Sequence, residues 1–255
     1  MEPPEYNTMF HAEDTHWWFL GLRYLTLQSI VRYASGANSE ILDAGCGTGG
    51  LLRFIAARSR SFRLTGIDTS SLALDLFRSA ETPSPVACAS VEQLPFGPQS
   101  FDVVTTLDVL YTQGIDDCLA VKEFFNVLRP GGLLVMNLPA FEFIRSSHDK
   151  AVHTGHRYRK KEVVALLEGA GFSVVKVTYW NAFLFPLICI VRLLRARNGS
   201  PQRSSDIKSL PSVLNFLLLY LLRLENRFIT RLSLPFGSSV FCVAQKDYKS
   251  SQNSF

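Results

Sequence analysis

Short apolar runs alternate with helix-like segments through the first 180 residues of the chain. The apolar runs are rich in β-branched residues and are bounded by glycine, proline or polar clusters, which is typical of strands. The predicted strands are EILDAG, FRLTGID, PVACAS, FDVVTTLD, LLVMNLPA and FSVVKVTYW. The segments between them, such as SLALDLFRSA and KKEVVALLEGA, have a helical period. This alternation predicts an α/β fold with a mostly parallel sheet.

Two predicted helices have clear boundary signals. Thr69 or Ser70 is placed to cap SLALDLFRSA, and Asp116 or Asp117 is placed to begin DDCLAVKEFFNVL. The RPGG sequence after the second helix is a stop signal.

The pattern changes after Trp180. Two strongly apolar helical segments, NAFLFPLICIVRLLRAR and LPSVLNFLLLYLLRLENRFITRL, flank a serine-rich polar loop, and a last strand, SSVFCVAQK, follows. We therefore predict a helical leader (1–37), a core (38–180 and 238–247), a helical insertion between the last two strands (181–237) and a frayed tail (248–255).

Composition narrows the class of protein. A chain of 255 residues with 47% hydrophobic residues suits one sizeable globular domain and excludes a mainly disordered protein. Five scattered cysteines without a C-x-x-C pair, and an acidic amino-terminal segment without a secretory pattern, predict a cytoplasmic protein with reduced thiols. The net charge of +4 is local, since residues 190–231 carry +6 and the rest of the chain carries −2, which argues against a nucleic-acid partner.

The main chemical signal is ILDAGCGTGG, a strand followed by a glycine turn and a helix. Gly45, Gly47 and Gly50 also satisfy the dinucleotide fingerprint G-x-G-x-x-G, but Asp43 would place a carboxylate beside a pyrophosphate. A ligand with a cationic amino-acid portion suits Asp43 better, and Asp68 is placed to accept hydrogen bonds from a ribose. These two acids favour S-adenosylmethionine over NAD.

Five ordered motifs carry a resemblance to a known family: D-x-G-x-G-x-G from Asp43, Asp68, VEQLPF, FDVV and VLRPGG. Together they resemble the class I S-adenosylmethionine-dependent methyltransferases, in particular the type-11, ubiquinone/menaquinone-biosynthesis-like group. The resemblance covers residues 38–180 and the last strand. It implies a Rossmann-like, seven-stranded sheet with a final antiparallel strand and the cofactor across the carboxyl ends of the strands.

The resemblance also implies a set of cofactor-binding residues. It assigns the methionine portion to the glycine turn, the ribose to Asp68, the adenine to Ser90 and Val91, and the methyl-transfer side to the end of the fourth predicted strand. At Ser90 such families usually have an acid, so the sequence departs from them there. The predicted cofactor-binding residues are Asp43, Gly45, Cys46, Gly47, Gly49, Asp68, Thr69, Ser90, Val91, Leu107 and Asp108.

The acceptor side offers several candidates for catalysis. Tyr111 follows the fourth predicted strand, and His148 and His156 lie in the loop after the fifth, where an imidazole can act as a base near neutral pH. Arg157 and Tyr158 are candidates for substrate binding, since an arginine could hold a phosphate. The histidines of this loop are equally compatible with surface positions. No acidic residue completes a metal-ligand set with them, so we expect no metal.

The insertion leaves two interpretations open. Its apolar runs are shorter than the roughly 20 residues that span a bilayer, and arginines flank them, which suits helices lying on an anionic membrane surface. A lid packed over the acceptor pocket explains the same pattern. The HWWF leader, the SSHD…GHRY loop and the FLFPL helix resemble methyltransferases of bacterial polysaccharide and glycolipid pathways.

Two adjacent tryptophans in the leader point in different directions on a helix, because successive residues are about 100° apart. We expect one of Trp17 and Trp18 to pack against the body and the other to form a wall of the acceptor pocket, with His16 at its rim. Two ordinary packing anchors are the alternative.

We therefore predict a methyltransferase that uses S-adenosylmethionine and acts on a hydrophobic or lipid-linked acceptor, with a glycan hydroxyl as one candidate, at the inner face of the membrane. A methyltransferase for a quinone or another small aromatic is an alternative. A cofactor-binding partner subunit without catalytic activity is a second alternative, from another class. The sequence gives no indication of the oligomeric state.

Overall fold

The computed structural model describes residues 2–34, 36, 38–80, 82, 84–197 and 210–247, without the side chains of residues 147, 148, 193 and 195–197. Within these ranges the strands are β1 (Glu40–Ala44), β2 (Arg63–Asp68), β3 (Val86–Cys88), β4 (Phe101–Leu107), β5 (Leu128–Pro139), β6 (Phe172–Trp180) and β7 (Ser239–Lys246). They form one sheet in the order β3-β2-β1-β4-β5-β7-β6. All neighbours are parallel except β7, which is antiparallel to both β5 and β6. The predicted fold class is confirmed.

Helices cover both faces of the sheet. They are α1 (Pro3–Ala12), α2 (Trp17–Tyr33), α3 (Gly50–Ala56), α4 (Ser71–Ser79), α5 (Asp117–Val127), α6 (Ser147–Ala151), α7 (Lys160–Gly169), α8 (Phe185–Arg197) and α9 (Ser212–Ile229), with a short 3-10 turn at Glu142–Ile144. Ser70 caps α4 and Asp116 caps α5, each accepting a hydrogen bond from a backbone N–H three residues on. One candidate of each predicted pair is therefore the capping residue.

Two apolar cores flank the sheet because successive strand residues point to opposite faces. Leu42, Val104 and Leu134 belong to the core beneath α5 and α7. Their neighbours in the chain, such as Ile41 and Val103, belong to the core beneath α2, α3 and α4. Burial on both faces explains why these strands read as nearly continuous apolar runs.

The helical leader consists of two helices, α1 and α2, and the break between them was not predicted. Pro3 occupies the first turn of α1, where its missing N–H costs nothing, and Glu5 follows it in that turn. The chain then breaks before α2, because His16 is in an extended conformation and its Nδ1 accepts a hydrogen bond from the Trp18 N–H. A polar, proline-initiated helix of ten residues has little of the apolar periodicity on which the prediction depended.

The second helix of the insertion is built into the domain. At Gly21 an added Cβ would lie 2.5 Å from Leu222 Cδ1, so α2 and α9 approach closely there. The buried Asn226 accepts a hydrogen bond from Trp180 Nε1 and donates one to the Gly21 carbonyl, both at 2.9 Å. Glu225, also buried, accepts the backbone N–H groups of Ala182 and Phe183. These polar contacts fix the second half of α9 against the end of β6.

Candidate active site

The site lies at the point where the order of the strands in the sheet reverses, between β1 and β4. β1 pairs with β2 on one side and with β4 on the other, so a crevice opens at the carboxyl ends of β1 and β4. A cavity of about 720 Å³ occupies this crevice. Most of the residues predicted from the sequence line it: His16, Trp17, Trp18, Asp43, Gly45, Cys46, Gly47, Asp68, Thr69, Leu107, Asp108, Tyr111 and Arg157.

The glycine turn forms one end of the cavity. Gly45 and Gly47 have φ values of 86° and 53°, in the left-handed region where a side chain is strained. At Gly45 an added Cβ would lie 2.3 Å from Val109 Cγ2, so a side chain there would also collide with the start of the loop after β4. Both glycines therefore keep the backbone open toward the cavity.

Asp68, at the end of β2, holds the turn in place. One carboxylate oxygen accepts the Gly47 N–H at 2.8 Å and the other accepts the Ser70 N–H at 2.9 Å. Burial raises the pKa of Asp68, although these backbone hydrogen bonds lower it. A carboxylate has about four lone-pair positions, so Asp68 retains capacity for hydroxyl donors of a ligand.

Asp43, at the end of β1, is a buried carboxyl group facing the cavity. Burial raises its pKa to about 7, while the hydrogen bond from Thr105 Oγ1 at 2.7 Å and the charge of Arg23 lower it. A cationic ligand group beside Asp43 would favour the ionised form.

These residues fit the cofactor that the sequence resemblance implies. The left-handed glycines leave room where a Cβ would intrude, Asp43 offers a carboxylate to an amino-acid ammonium group, and Asp68 offers one to a ribose. The acids at both strand ends would disfavour a pyrophosphate. The cradle therefore suits S-adenosylmethionine better than a dinucleotide.

Helix α1 and its carboxyl-terminal cap contribute residues that the sequence did not single out, namely Tyr6 and Met9 of the helix and Glu13 of the cap, which line the cavity. Burial, followed by the charge of Asp68, raises the pKa of Tyr6, and a hydrogen bond with Ser70 opposes this. At Gly47 an added Cβ would lie 3.0 Å from Met9 Cε. Helix α1 thus covers the glycine turn. The available signal was Pro-Pro-Glu at the start of the chain, which is typical of a helix start.

A buried ion-pair cluster connects the leader to α3. Glu13 contacts Arg23 at 2.7 Å and Arg53 at 2.6 Å, and it accepts a hydrogen bond from Thr48 Oγ1 at 2.6 Å. The side chains of Glu13 and Arg23 are each only 5% exposed. The cluster requires a glycine at position 50, since a Cβ there would lie 1.6 Å from Arg23 Nη2.

Asp108 directly follows the last residue of β4, and its side chain lines the cavity. Its φ of 57° is left-handed, and its backbone N–H donates to the Asn137 carbonyl at 2.9 Å. Both of its carboxylate oxygens accept from Asn137 Nδ2 at 3.0 Å. Burial raises the pKa of Asp108 to about 7, opposed by these hydrogen bonds and by the charge of Arg157. Asn137 therefore fixes both the backbone and the side chain of Asp108.

Two further titratable side chains line the same cavity. Burial, and then the charge of Asp108, raises the pKa of the Tyr111 phenol, so this group is a hydrogen-bond donor and a poor proton acceptor near neutral pH. Burial lowers the pKa of His16, which favours a neutral imidazole.

Two of the candidate residues in the loop after β5, His156 and Tyr158, do not line the cavity. His156 is about half exposed, its ring atoms 3.7 Å from Glu142 and 3.4 Å from Glu162, and it does not line the cavity. Tyr158 is buried, and its hydroxyl donates to Asp117 at 2.8 Å. The side chain of His148 lies outside the described part of the structure.

Arg157 lines the cavity, but its guanidinium is engaged within the protein. It forms an ion pair with the buried Asp149 at 2.5 Å and donates to the carbonyls of Ala140 and Phe141. Burial opposes ionisation of Asp149, yet the Arg157 charge keeps the pKa of Asp149 below its usual value. This ion pair anchors the loop after β5 to the strand end.

The adjacent tryptophans both line the cavity and both pack against the core on the α2 side of the sheet. The Trp18 ring lies 5.7 Å from the Trp180 ring, centroid to centroid. Trp17 lies beside the His16 ring, and its backbone N–H donates to Asn215 Oδ1 of α9 at 2.9 Å. Each indole therefore has a packing contact as well as an exposed edge in the cavity.

Three predicted cofactor-binding residues lie outside the cavity lining. At Gly49, the amino-terminal cap of α3, a Cβ would lie 1.9 Å from the Phe77 ring, which accounts for a glycine there. Val91 is buried in the core beneath α5. The Ser90 hydroxyl accepts the Glu92 N–H and donates to the Glu92 carboxylate. The assignment of the adenine to Ser90 and Val91 stays a prediction.

Comparison with known proteins identifies the family. Residues 42–136, from β1 to β5, match the family described as a methyltransferase domain. The chain carries a methyltransferase domain. The match includes the glycine turn, Asp68 and Asp108, whereas the leader, the loop after β5 and the insertion, which also line the cavity, lie outside it. The cofactor of this methyltransferase domain is S-adenosylmethionine.

Two curated relatives are similar over about half of this chain. The chain is 28% identical over 138 residues to malonyl-acyl-carrier-protein O-methyltransferase of Enterobacter lignolyticus, covering 51% of this chain and 53% of the relative. It is 34% identical over 113 residues to ubiquinone/menaquinone biosynthesis C-methyltransferase UbiE of Geotalea daltonii, covering 42% and 47%. The match thus spans about half the length of each relative.

A solved structure extends the likeness in fold beyond the methyltransferase domain. Geranyl diphosphate C-methyltransferase from Streptomyces coelicolor A3(2) aligns with a TM-score of 0.58 at 15% sequence identity, covering 88% of this chain and 79% of that chain. At this identity the likeness concerns the fold.

Proposed function

We propose that the protein transfers a methyl group from S-adenosylmethionine to a hydroxyl of a hydrophobic or lipid-linked acceptor at the cytoplasmic surface of a membrane. One observation carries the proposal. The cavity that contains Asp43 and Asp68 at the glycine turn continues, past Asp108, to an apolar wall formed by the insertion.

The insertion supplies most of the apolar surface on the acceptor side. From this part of the chain the cavity is lined by Leu184, Leu187, Ile188, Val191, Leu210 and Leu218. Leu187 lines the cavity and is also 56% exposed, so the cavity opens to the exterior at an apolar position of α8. An acceptor with a hydrocarbon portion could enter there without leaving apolar surroundings.

Exposed apolar side chains surround this opening on both helices of the insertion. More than half of the surface of each is exposed: Leu187, Ile190, Leu194, Val213, Phe216, Leu217 and Tyr220. Exposed apolar groups at this density are typical of a surface that contacts lipid or a partner. None of the described helices has the length and apolar character needed to cross a bilayer. A peripheral location is therefore part of the proposal.

The polar groups in the cavity favour an acceptor that donates a hydrogen bond. Asn181 is 1% exposed, has a φ of 61° and lines the cavity. Its Nδ2 donates to Ser238 Oγ at 3.0 Å, while its Oδ1 has no partner among the described residues. A buried oxygen without a hydrogen-bond donor is costly, and a hydroxyl of the methyl-accepting substrate would satisfy it.

Asp108 provides the proton acceptor. Bound S-adenosylmethionine would supply a methyl group on a positively charged sulfur, so no further activation of the donor is required. The Asp108 carboxylate takes the proton from the acceptor hydroxyl, and Asn137 holds that carboxylate. Asn181 Oδ1 accepts a hydrogen bond from a second, neighbouring hydroxyl of the acceptor and so orients it. The neutral Tyr111 donates a hydrogen bond in the same cavity.

The experiment is methylation with radiolabelled S-adenosylmethionine of a membrane lipid extract, a glycan fraction and a small-molecule fraction. We expect label in the lipid extract, in a product that is stable as an ether, and much less with the D108N variant. Label confined to the small-molecule fraction would favour the quinone or aromatic alternative. If no fraction is labelled although S-adenosylhomocysteine binds, the alternative of a partner subunit without catalytic activity replaces the proposal.

A further inference from the structure

A second cavity, of about 910 Å³, lies between the carboxyl-terminal halves of α2 and α9. It is lined by Tyr24, Leu27, Gln28, Val31, Arg32, Leu224, Arg227, Phe228, Thr230, Arg231 and Leu232, and we refer to it as the α2–α9 groove. The groove shares none of these residues with the active-site cavity.

The groove lies further along α2 than the active-site cavity, which reaches Arg23 on this helix, whereas the groove begins at Tyr24. The two helices run parallel, since Asn215 near the start of α9 contacts Trp17 and Asn226 further along contacts Gly21. Trp17 borders the active-site cavity, and Val31 lies in the groove. Fourteen residues of helix separate them, or about 21 Å at 1.5 Å per residue.

The groove combines an apolar lining with three arginines. Leu27, Leu224 and Phe228 supply apolar surface, and Val31 and Leu232 are 68% and 58% exposed at its edge. Surface of this kind is favourable only when something apolar covers it.

The three arginines of the groove form no ion pair with a described residue. Within the described part of the chain, no carboxylate lies within ion-pair distance of Arg32, Arg227 or Arg231, whereas each of Arg53, Arg63 and Arg78 has one. Lys176, whose Nζ donates to the Leu232 carbonyl, is close enough that burial and then the charge of Arg32 lower its pKa. The groove therefore has an excess of positive charge.

The pattern along α9 agrees with this charge distribution. Val213, Phe216, Tyr220, Arg223 and Arg227 follow at intervals of three or four residues and are exposed, so they share one face of the helix. That face is apolar in its first half, near the active-site opening, and basic in its second half, beside the groove. A helix with this pattern can lie in a membrane interface along its whole length.

We propose that the α2–α9 groove binds the headgroup of an anionic phospholipid, with Arg32, Arg227 and Arg231 contacting the phosphate and the apolar lining contacting the first part of the acyl chains. This site is separate from the acceptor cavity, and it rests on the membrane location in the proposed function. The guanidinium group suits a phosphate because it donates in a planar fork. The site would orient the protein so that the opening at Leu187 faces the lipid.

Arginines in the last turn of a helix also interact favourably with its dipole, and Arg32 and Arg227 occupy such positions. That role requires no lipid and no apolar groove. It predicts a change in thermal stability without a change in lipid binding, which separates the two explanations.

The test is flotation of the full chain with phosphatidylcholine vesicles, with and without phosphatidylglycerol. The R32Q/R227Q/R231Q variant is compared with R60Q/R63Q/R78Q, which removes the same charge from exposed arginines outside the groove. Each arginine near an anionic surface contributes about a factor of five, so we expect the groove variant to partition about 100-fold more weakly into anionic vesicles. We expect the control variant to lose much less, because screening limits distant charges.

The outcomes distinguish the proposals. Equal flotation of both variants would overturn the headgroup site while leaving a membrane location intact. Groove-dependent binding of inorganic phosphate that is as tight as that of the vesicles would replace the lipid with a soluble anion. Self-association that disappears in the groove variant would assign the groove to a second copy of the chain. Methylation of a detergent-dispersed acceptor should be unchanged in the groove variant. Failure of the methyltransferase proposal would instead abolish methylation by the wild-type protein, so the two failures can be told apart.

Discussion

Replacing Asp108 by Asn tests the proton acceptor directly. The change keeps the size of the side chain and removes its charge. A positioned general base contributes about 10² to 10⁴ in rate, so we expect kcat for a hydroxyl acceptor to fall by about that factor. The affinity for S-adenosylhomocysteine, measured by calorimetry, should remain within a few-fold, since Asp43 and Asp68 are unchanged.

The pH dependence gives a second measure of the same group. Burial raises the pKa of Asp108 to about 7 in the free protein. Because the base must be ionised, we expect kcat/KM for the acceptor, measured with S-adenosylmethionine at saturation, to rise tenfold per pH unit below that value and then to level off. A positive charge on the bound cofactor favours the carboxylate, which would place the bend at or below about 7. The D108N variant should lack this acidic limb.

Asn137 provides a matched variant. Its Nδ2 donates to both oxygens of Asp108, and these hydrogen bonds lower the pKa of that carboxyl group. N137L should therefore move the acidic limb to higher pH while most of the maximal rate is kept. D75N, which removes an exposed carboxylate paired with Arg78, is the control and should behave as wild type.

The reasoning would be refuted if D108N kept both the wild-type rate and the acidic limb. In that case His16 would be the next candidate, because its neutral imidazole lines the same cavity. H16N retains an oxygen that can cap α2, so loss of the limb in H16N alone would assign the base to the histidine.

Three further predictions concern the cofactor end. D68A should weaken S-adenosylhomocysteine binding by about 10- to 100-fold in calorimetry, because hydrogen bonds to a charged group contribute about 1.5–3 kcal/mol; unchanged affinity would contradict the ribose placement. G50A places a Cβ 1.6 Å from Arg23 Nη2 and disrupts a buried ion pair, so denaturant unfolding should show a loss of about 3 kcal/mol, whereas G169A, with open space around the Cβ, should lose almost nothing. The affinity for S-adenosylhomocysteine should rise with pH and level off above about 7, because Asp43 must ionise to accept a cation. Calorimetry in buffers of different ionisation enthalpy should show proton release on binding below that pH. A flat pH profile would place the ammonium group elsewhere.

The central part of the fold could be predicted because its signals are local. Apolar runs of strand length with helices between them determine a parallel sheet, and the carboxyl ends of parallel strands meet at one edge. Asp43, Asp68 and Asp108 each end a strand, so their convergence on one cavity follows from topology alone.

The remaining features depend on contacts between distant parts of the chain. The sequence around Arg157 gives no sign of its buried ion pair with Asp149, because a polar loop sequence predicts side chains exposed to solvent. Glu225 and Asn226 interrupt an apolar helix, and only the position of the β6 end explains why they are buried. The separation of α1 from α2 was not predicted, because α1 lacks a regular apolar period and buries none of its residues, although it covers the glycine turn.

The position of β7 has a consequence for biosynthesis. β7 is the last strand in the chain, yet it lies between β5 and β6 and is the only strand that pairs with β6 in the described sheet. During translation β5 and β6 therefore leave the ribosome with unpaired edges, and pairing of the sheet is completed only after residue 246 is available. A chain that ends before β7 would therefore expose strand edges on which another chain can pair, which favours aggregation.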